Sequence, residues 1–170
     1  MKVVGINGSS RADGNTFILI NTVFEELRKE GIDAEMIQLF DKNISPCTGC
    51  GTCSRGSCKI NTDDFKGIFD KMVEADGIIL GSPVYSADVS ARMKALLERA
   101  GYVAAMDPNL LRHKVGASVV AVRRGGGMAA VDAMNHFFLN KEIFVVGSTY
   151  WNMVYGKDIG EVLNDAEGIR

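Results

Sequence analysis

The sequence predicts an open, doubly wound α/β domain on a five-stranded parallel sheet in the order 2-1-3-4-5. Three observations carry this. Short β-branched runs alternate with amphipathic stretches in the order βαβαβαβαβ, with no internal repeat. Two of the runs, Gly77–Gly81 and Val119–Val122, are apolar on both faces, as strands covered from both sides are. The chain has 170 residues, which suits one core and favours five strands over a six-stranded dinucleotide-binding sheet.

The first strand reads at Lys2–Asn7. Ile20, Val23, Phe24 and Leu27 fall at i, i+3, i+4, i+7 and mark the first helix, with Gly31 after it as a stop. The second strand is Ala34–Leu39. Phe65, Ile68, Phe69, Met72 and Val73 mark the second helix, with Asp63 or Thr62 expected as its cap. The third strand is Ile78–Gly81, and Met93, Leu96, Leu97 and Ala100 make the third stripe. A turn is expected at Asp107-Pro108-Asn109, before the fourth strand at Val115–Val122. Met128, Val131, Asn135 and Phe138 make a weaker fourth stripe, and Ile143–Val146 the fifth strand. Residues 1–170 thus read as a single domain, with a cysteine-rich insertion at 47–58.

Composition narrows the function. Lysine and arginine number 19 against 21 aspartates and glutamates, a net charge of −2. That is too little positive charge for a nucleic-acid partner. It is also less acidic than small carriers that dock by electrostatics. No charged and apolar leader precedes the first strand, so no signal peptide is expected. The longest uncharged stretch, Ile143–Gly156, is shorter than the roughly 20 residues a bilayer span needs. The expected location is the cytoplasm, with no membrane partner. The two histidines, His113 and His136, belong to no nucleophile–histidine–carboxylate set, so triad hydrolysis is not supported.

In such sheets ligands bind beyond the carboxyl ends of the strands, so the loops after strands one, three and four are where chemistry is sought. The first reads Gly8-Ser9-Ser10-Arg11-Ala12-Asp13-Gly14-Asn15-Thr16 and opens a helix. Glycines let the backbone approach an anion closely. The helix start offers free N–H groups. Ser9, Ser10, Asn15 and Thr16 add short donors, and Arg11 adds charge. Together they suit a phosphate, although a Ser/Asn-rich turn can also cap its helix without a ligand. The loop lacks both the Walker ending and the dinucleotide fingerprint. The second loop, Pro83, Val84, Tyr85 and Ser86 after Ser82, is uncharged and suits a flat ring. The third is Arg123-Arg124-Gly125-Gly126-Gly127, whose glycines bring N–H groups near polar ring edges.

Cys47, Cys50, Cys53 and Cys58 fall within 12 residues, with Gly49, Gly51 and Gly56 to supply turns. In a cytosolic chain such clustering points to metal or redox chemistry rather than structural disulfides. Four thiolates suit a 4Fe–4S cluster or a tetrahedral zinc, and the compact run lacks the separated pairs usual for zinc. Bare thiols are the remaining reading.

Gly8-Ser9-Ser10-Arg11 with Gly14-Asn15-Thr16, then Ser82-Pro83-Val84-Tyr85, resemble the FMN loops of the flavodoxin-like NADPH-dependent FMN reductases. The cysteine segment before Asp63-Asp64 narrows the resemblance to the iron–sulfur flavoprotein branch and its cluster-free relatives. It runs from Lys2 to about Gly168. The resemblance implies FMN, with phosphate at Ser9, Arg11, Asn15 and Thr16 and the ring against 83–86 and 123–127. It implies NAD(P)H as electron donor, with a quinone, free flavin or iron–sulfur acceptor. The rival is an electron carrier exchanging single electrons with ferredoxin-like partners. The cofactor carries the chemistry, so no catalytic side chain is expected. The resemblance also implies a last helix beginning at Asp165–Gly168, which is expected to be missing because the chain stops at Arg170. A homo-oligomer is expected, with Ile143–Gly156 as a contact surface. Trp151 is expected in the core, the alternatives being the flavin edge or a dimer interface.

Overall fold

The computed structural model describes residues 1–54, 56–106 and 109–170. Of the turn expected at Asp107-Pro108-Asn109, the first two residues lie outside the described ones, as does residue 55 of the cysteine segment. The strands are β1 (Lys2–Asn7), β2 (Asp33–Gln38), β3 (Gly77–Pro83), β4 (Val115–Val122), β5 (Phe144–Val145) and β6 (Met153–Tyr155). The helices are α1 (Asn15–Lys29), α2 (Phe65–Glu74), α3 (Ala91–Ala105), α4 (Gly127–Asn140) and α5 (Ala166–Ile169), with a 3-10 turn at Glu161–Asn164.

The sheet is parallel and runs β2-β1-β3-β4-β5, with β6 also on β4. The register sets Val4 beside Ile78, and Leu80 beside Ser118. One face buries Val4, Ile6 and Leu80 against Phe65, Leu96 and Met134 from α2, α3 and α4. The other packs Val3 and Ile79 against Ile20 and Phe24 of α1. Each such side chain contributes about 1.5–3 kcal/mol on burial, so the apolar stripes choose which way each helix lies. A Cβ on Gly81 would stand 2.6 Å from Ile20 Cδ1 and 3.0 Å from Thr16 Cγ2. Only a glycine lets the first turn of α1 rest on β3, and this places the first loop. Among the described residues no helix is long and apolar enough to cross a membrane.

Three expectations need correction. The fifth strand is not one run at Ile143–Val146. It is split into β5, paired at Val115↔Phe144 and Gly116↔Val145, and β6, paired at Val120↔Met153 through Val122↔Tyr155. Between them the chain leaves the sheet at Gly147. The Ser148 hydroxyl closes the excursion by donating to Tyr150 O at 2.6 Å and meeting Asn152 Oδ1 at 2.9 Å. Trp151 lies on this excursion and is 52% exposed, not in the core. The N-cap of α2 is Asp64 rather than Asp63 or Thr62, and the Asp64 side chain makes no capping bond. Asp63 nevertheless accepts from Phe65 N, the first N–H of α2, at 3.4 Å, while its other oxygen accepts from Ser45 N. At the end of the chain the expected entry to a last helix forms a single helical turn, α5, where Asp165 accepts from Gly168 N.

Candidate functional site

The loop after β1 is braced from beneath. Asn7 Oδ1 accepts from Ser9 N at 3.0 Å, and Asn7 Nδ2 donates to Gln38 Oε1 at 2.6 Å. Gln38 Nε2 then donates to Ala12 O at 2.8 Å. Ser9 is buried, and its hydroxyl accepts from Arg11 N at 3.0 Å. Gly8 N reaches across to Gly81 O at 2.8 Å. The result is a rigid turn at the start of α1, whose N-cap, Gly14, supplies no side-chain acceptor.

That start is left polar and unpaired. Among the described residues, the N–H groups of Asn15, Thr16 and Phe17 have no protein acceptor. Thr16 is 1% exposed, and its Oγ1 has no hydrogen-bond partner among the described residues. A buried orphan hydroxyl costs about 1–3 kcal/mol, so in a native loop it points to a missing acceptor. The N–H groups and the helix dipole favour an anion there. Arg11 is exposed beside the loop, and Arg92 at the start of α3 donates to Ser10 Oγ at 3.4 Å. These donors fit a phosphate. The Asn15 side chain is otherwise engaged: it donates to Asp158 O at 3.0 Å and accepts from Gly160 N at 2.9 Å. It clamps the chain after β6 onto the loop, leaving its backbone N–H for an anion.

The loops after β3 and β4 meet each other. Val84 N donates to Ala121 O at 3.2 Å. A Cβ on Gly126, where φ is +84°, would stand 2.8 Å from Ala87 Cα. Only glycine accepts both that conformation and that approach. Tyr85 and Asp88 exchange backbone bonds of 2.9 and 3.0 Å around Ser86 and Ala87, both left-handed at φ 50° and 60°. A left-handed residue with a Cβ costs roughly 1–2 kcal/mol, and this strained turn holds Tyr85 out at 42% exposure. Pro83 is half-buried and Gly127 is buried. Arg123, Arg124 and Gly125 are exposed. Arg123 lines an open cavity of about 310 Å³ with Tyr155, Lys157 and Glu161. A larger cavity of about 440 Å³ takes in Tyr150, Trp151 and Tyr155 beside α1 but none of the three loops' named ring or phosphate residues.

The four cysteines line a cavity of about 130 Å³ against the second half of α3, with Arg99, Tyr102, Val103 and Met106. Gly49, Gly51 and Gly56 are all left-handed, as the turns require. Gly49 N donates to Cys47 Sγ at 3.4 Å, and Cys50 Sγ lies 3.1 Å from Thr52 Oγ1. Hydrogen bonds from the Thr52 side chain and backbone hold the Cys50 thiol below its ordinary pKa. Burial, then the neighbouring cysteines, push Cys53 up. Among the described residues no three His, Cys, Asp or Glu side chains are placed to hold a metal ion. The thiols therefore surround a space without converging on one point. In number and softness they would fit the donor set of a cluster.

Arg99 is the buried link to this cavity. Its side chain is 1% exposed and pairs with Asp63, which is 2% exposed. Nη2 donates to Ile60 O at 2.7 Å and Nη1 to Ser45 O at 3.3 Å. The Asp63 carboxylate also accepts from Ser45 N at 2.9 Å. Arg92 and Arg99 lie seven residues apart on α3, about 10 Å of helix, so this helix serves both sites.

Sequence reading missed Asn7, Gln38, Arg92, Asp63 and Arg99. Arg99 did leave a signal, since it stands three residues after Leu96 and four before Val103, on the buried side of its helix.

Comparison with known proteins places these features. A family model described as NADPH-dependent FMN reductase matches residues 1–158. An iron–sulfur flavoprotein of Methanocaldococcus jannaschii is 42% identical over 182 positions, covering 99% of this chain and 90% of that protein. The Trp repressor binding protein from Bacillus subtilis has a similar structure, with a TM-score of 0.72 at 17% identity over 98% of this chain and 92% of that one. A flavodoxin from the domain Archaea gives a TM-score of 0.63 at 15% identity over 99% and 94% of the two chains. At those identities the structural likeness speaks for the flavodoxin-like fold, whereas the family match and the archaeal relative speak for descent: the chain belongs to the NADPH-dependent FMN reductase family, in its iron–sulfur flavoprotein branch.

Proposed function

We propose that this flavin-dependent oxidoreductase binds FMN at the loops after β1, β3 and β4 and takes electrons from NAD(P)H. It would pass them to a quinone, a free flavin or an iron–sulfur acceptor. The observation that carries the reading is the buried, unpartnered Thr16 hydroxyl beside the unpaired N–H groups of α1. A phosphate ester supplies the acceptors these donors lack. When bound, FMN supplies hydride acceptance and electron release. The chain's own work is to bind and orient. Asn7 and Gln38 hold the loop's shape, the α1 N–H groups and Thr16 take the phosphate, and the touching loops at Val84, Ala87 and Gly126 flank the ring. No side chain is asked to move a proton.

In this reading Cys47, Cys50, Cys53 and Cys58 hold a 4Fe–4S cluster. Their common cavity favours a second reading, an electron carrier that exchanges single electrons with a ferredoxin-like protein. Anaerobic stopped-flow mixing of the FMN-loaded protein separates the two. Fast flavin bleaching by NADH or NADPH is expected. Reduction by a ferredoxin alone would make the protein a carrier. Purified protein that takes up no FMN when supplied with it would sink both.

A further inference from the structure

The cysteine cavity is built around a charge that flavin binding does not use. The Arg99 guanidinium touches both ends of the cysteine segment at once, through the carbonyls of Ser45 and Ile60. All four cysteines lie between those two residues. Asp63 completes the closure by accepting from Arg99 and from Ser45 N. The Phe65 ring lies beneath, 4.1 Å from the guanidinium carbon. Arg99 Nε is buried and has no hydrogen-bond partner among the described residues. Arg99 also lines the cavity itself. Burial works against its charge, but the Asp63 carboxylate and the Cys58 sulfur beside it outweigh that.

Two physical consequences follow. Joining the ends of a loop in advance removes much of the entropy cost of gathering its ligands. A fixed cation beside a four-thiolate centre favours the more negative redox state, because net charge and hydrogen bonding to sulfur set the potential. Water screens the effect little where the cation is this deeply buried.

We propose that Arg99 is the positioning residue of the cysteine site: its guanidinium clasps Ser45 to Ile60 so that the four thiolates assemble a cluster, and its buried charge raises the cluster's reduction potential. The proposal rests on the reading that the cysteines hold a 4Fe–4S cluster. The redox step is a one-electron addition to the centre, with no bond made or broken and dithionite as the reductant in the test. Lysine keeps the charge but has no fork to reach both carbonyls. Methionine keeps neither.

The test uses the full chain, prepared anaerobically as wild type, Arg99→Lys and Arg99→Met, and reconstituted with limiting ferrous iron and sulfide. FMN affinity serves as the fold control, since no phosphate-loop bond involves Arg99. Iron and acid-labile sulfide per chain are expected to fall at least fivefold in both variants. The midpoint, followed by EPR during dithionite titration, is expected to stay near wild type in Arg99→Lys. In the fraction of Arg99→Met that loads, it should fall by at least tenfold in the reduction equilibrium, about 59 mV for one electron. If the methionine variant does not fold, the lysine variant still tests the clasp, because it leaves Asp63 a buried cation. Wild type that takes up no iron or sulfide would remove the cluster reading and this proposal with it. Wild type that loads, with variants loading equally and at unchanged potential, would overturn the role of Arg99 alone.

Discussion

Replacing Asp63 with asparagine is expected to lower the unfolding free energy by about 3–5 kcal/mol, measured by urea denaturation of the metal-free protein near pH 7. The side chains of Asp63 and Arg99 are 2% and 1% exposed. Removing one partner of such a pair leaves an uncompensated buried charge, which is why the loss is this large. The pH dependence follows from the sign of the shift. Burial pushes the Asp63 carboxyl up, but the Arg99 guanidinium and the N–H groups of Ser45 and Phe65 outweigh it and hold the carboxyl below its usual 3.8. A carboxyl with a lowered folded-state pKa contributes fully above its unfolded value. That contribution is lost as pH falls through the folded-state value. Wild type should therefore lead Asp63→Asn by a constant margin above about pH 5 and lose the margin below about pH 4. A loss under about 1 kcal/mol near neutrality would mean that the pair carries no more than a surface ion pair does.

The same pair shows where sequence reading stops. The fold was legible because its signals are local: a stripe at helical spacing, a run apolar on both faces, a glycine after a helix. The loop after β1 was legible for the same reason, since Gly8 to Thr16 form one turn into one helix. Asn7 and Gln38 were not legible, because their bond exists only once β1 and β2 pair in register, with Asn7 beside Gln38. Asp63 and Arg99 are 36 residues apart, and no periodicity links them. Asp63 looked like a helix cap because aspartate before an apolar stripe usually is one. Its carboxylate mainly serves a buried cation, and only its second oxygen reaches the first N–H of α2, at 3.4 Å. The split of the last strand was hidden in the uncharged stretch Ile143–Gly156. Composition there cannot separate sheet residues from an excursion whose shape depends on the Ser148 side chain. Asn15 shows a further limit. Its place in the loop was readable, but its side chain is held by Asp158 and Gly160, about 145 residues downstream.

Replacing Thr16 with valine should move two measurements in opposite directions. Valine has nearly the shape of threonine, so the packing of Thr16 Cγ2 toward β3 is kept. The hydroxyl has no partner to lose among the described residues. Without flavin the variant should therefore be as stable as wild type, or more stable by up to about 1–3 kcal/mol, the cost of a buried unsatisfied group. FMN binding should weaken, because a hydrogen bond to a charged acceptor contributes about 1.5–3 kcal/mol. That corresponds to roughly 10- to 100-fold in dissociation constant. Flavin fluorescence titration reads the second effect and urea denaturation of flavin-free protein the first. Riboflavin, which has the ring but no phosphate, should bind wild type and variant alike, and this separates the phosphate contact from a general disturbance of the loops. A variant that loses stability while binding FMN as wild type does would assign the hydroxyl to the fold, and the start of α1 would then no longer mark where the phosphate sits.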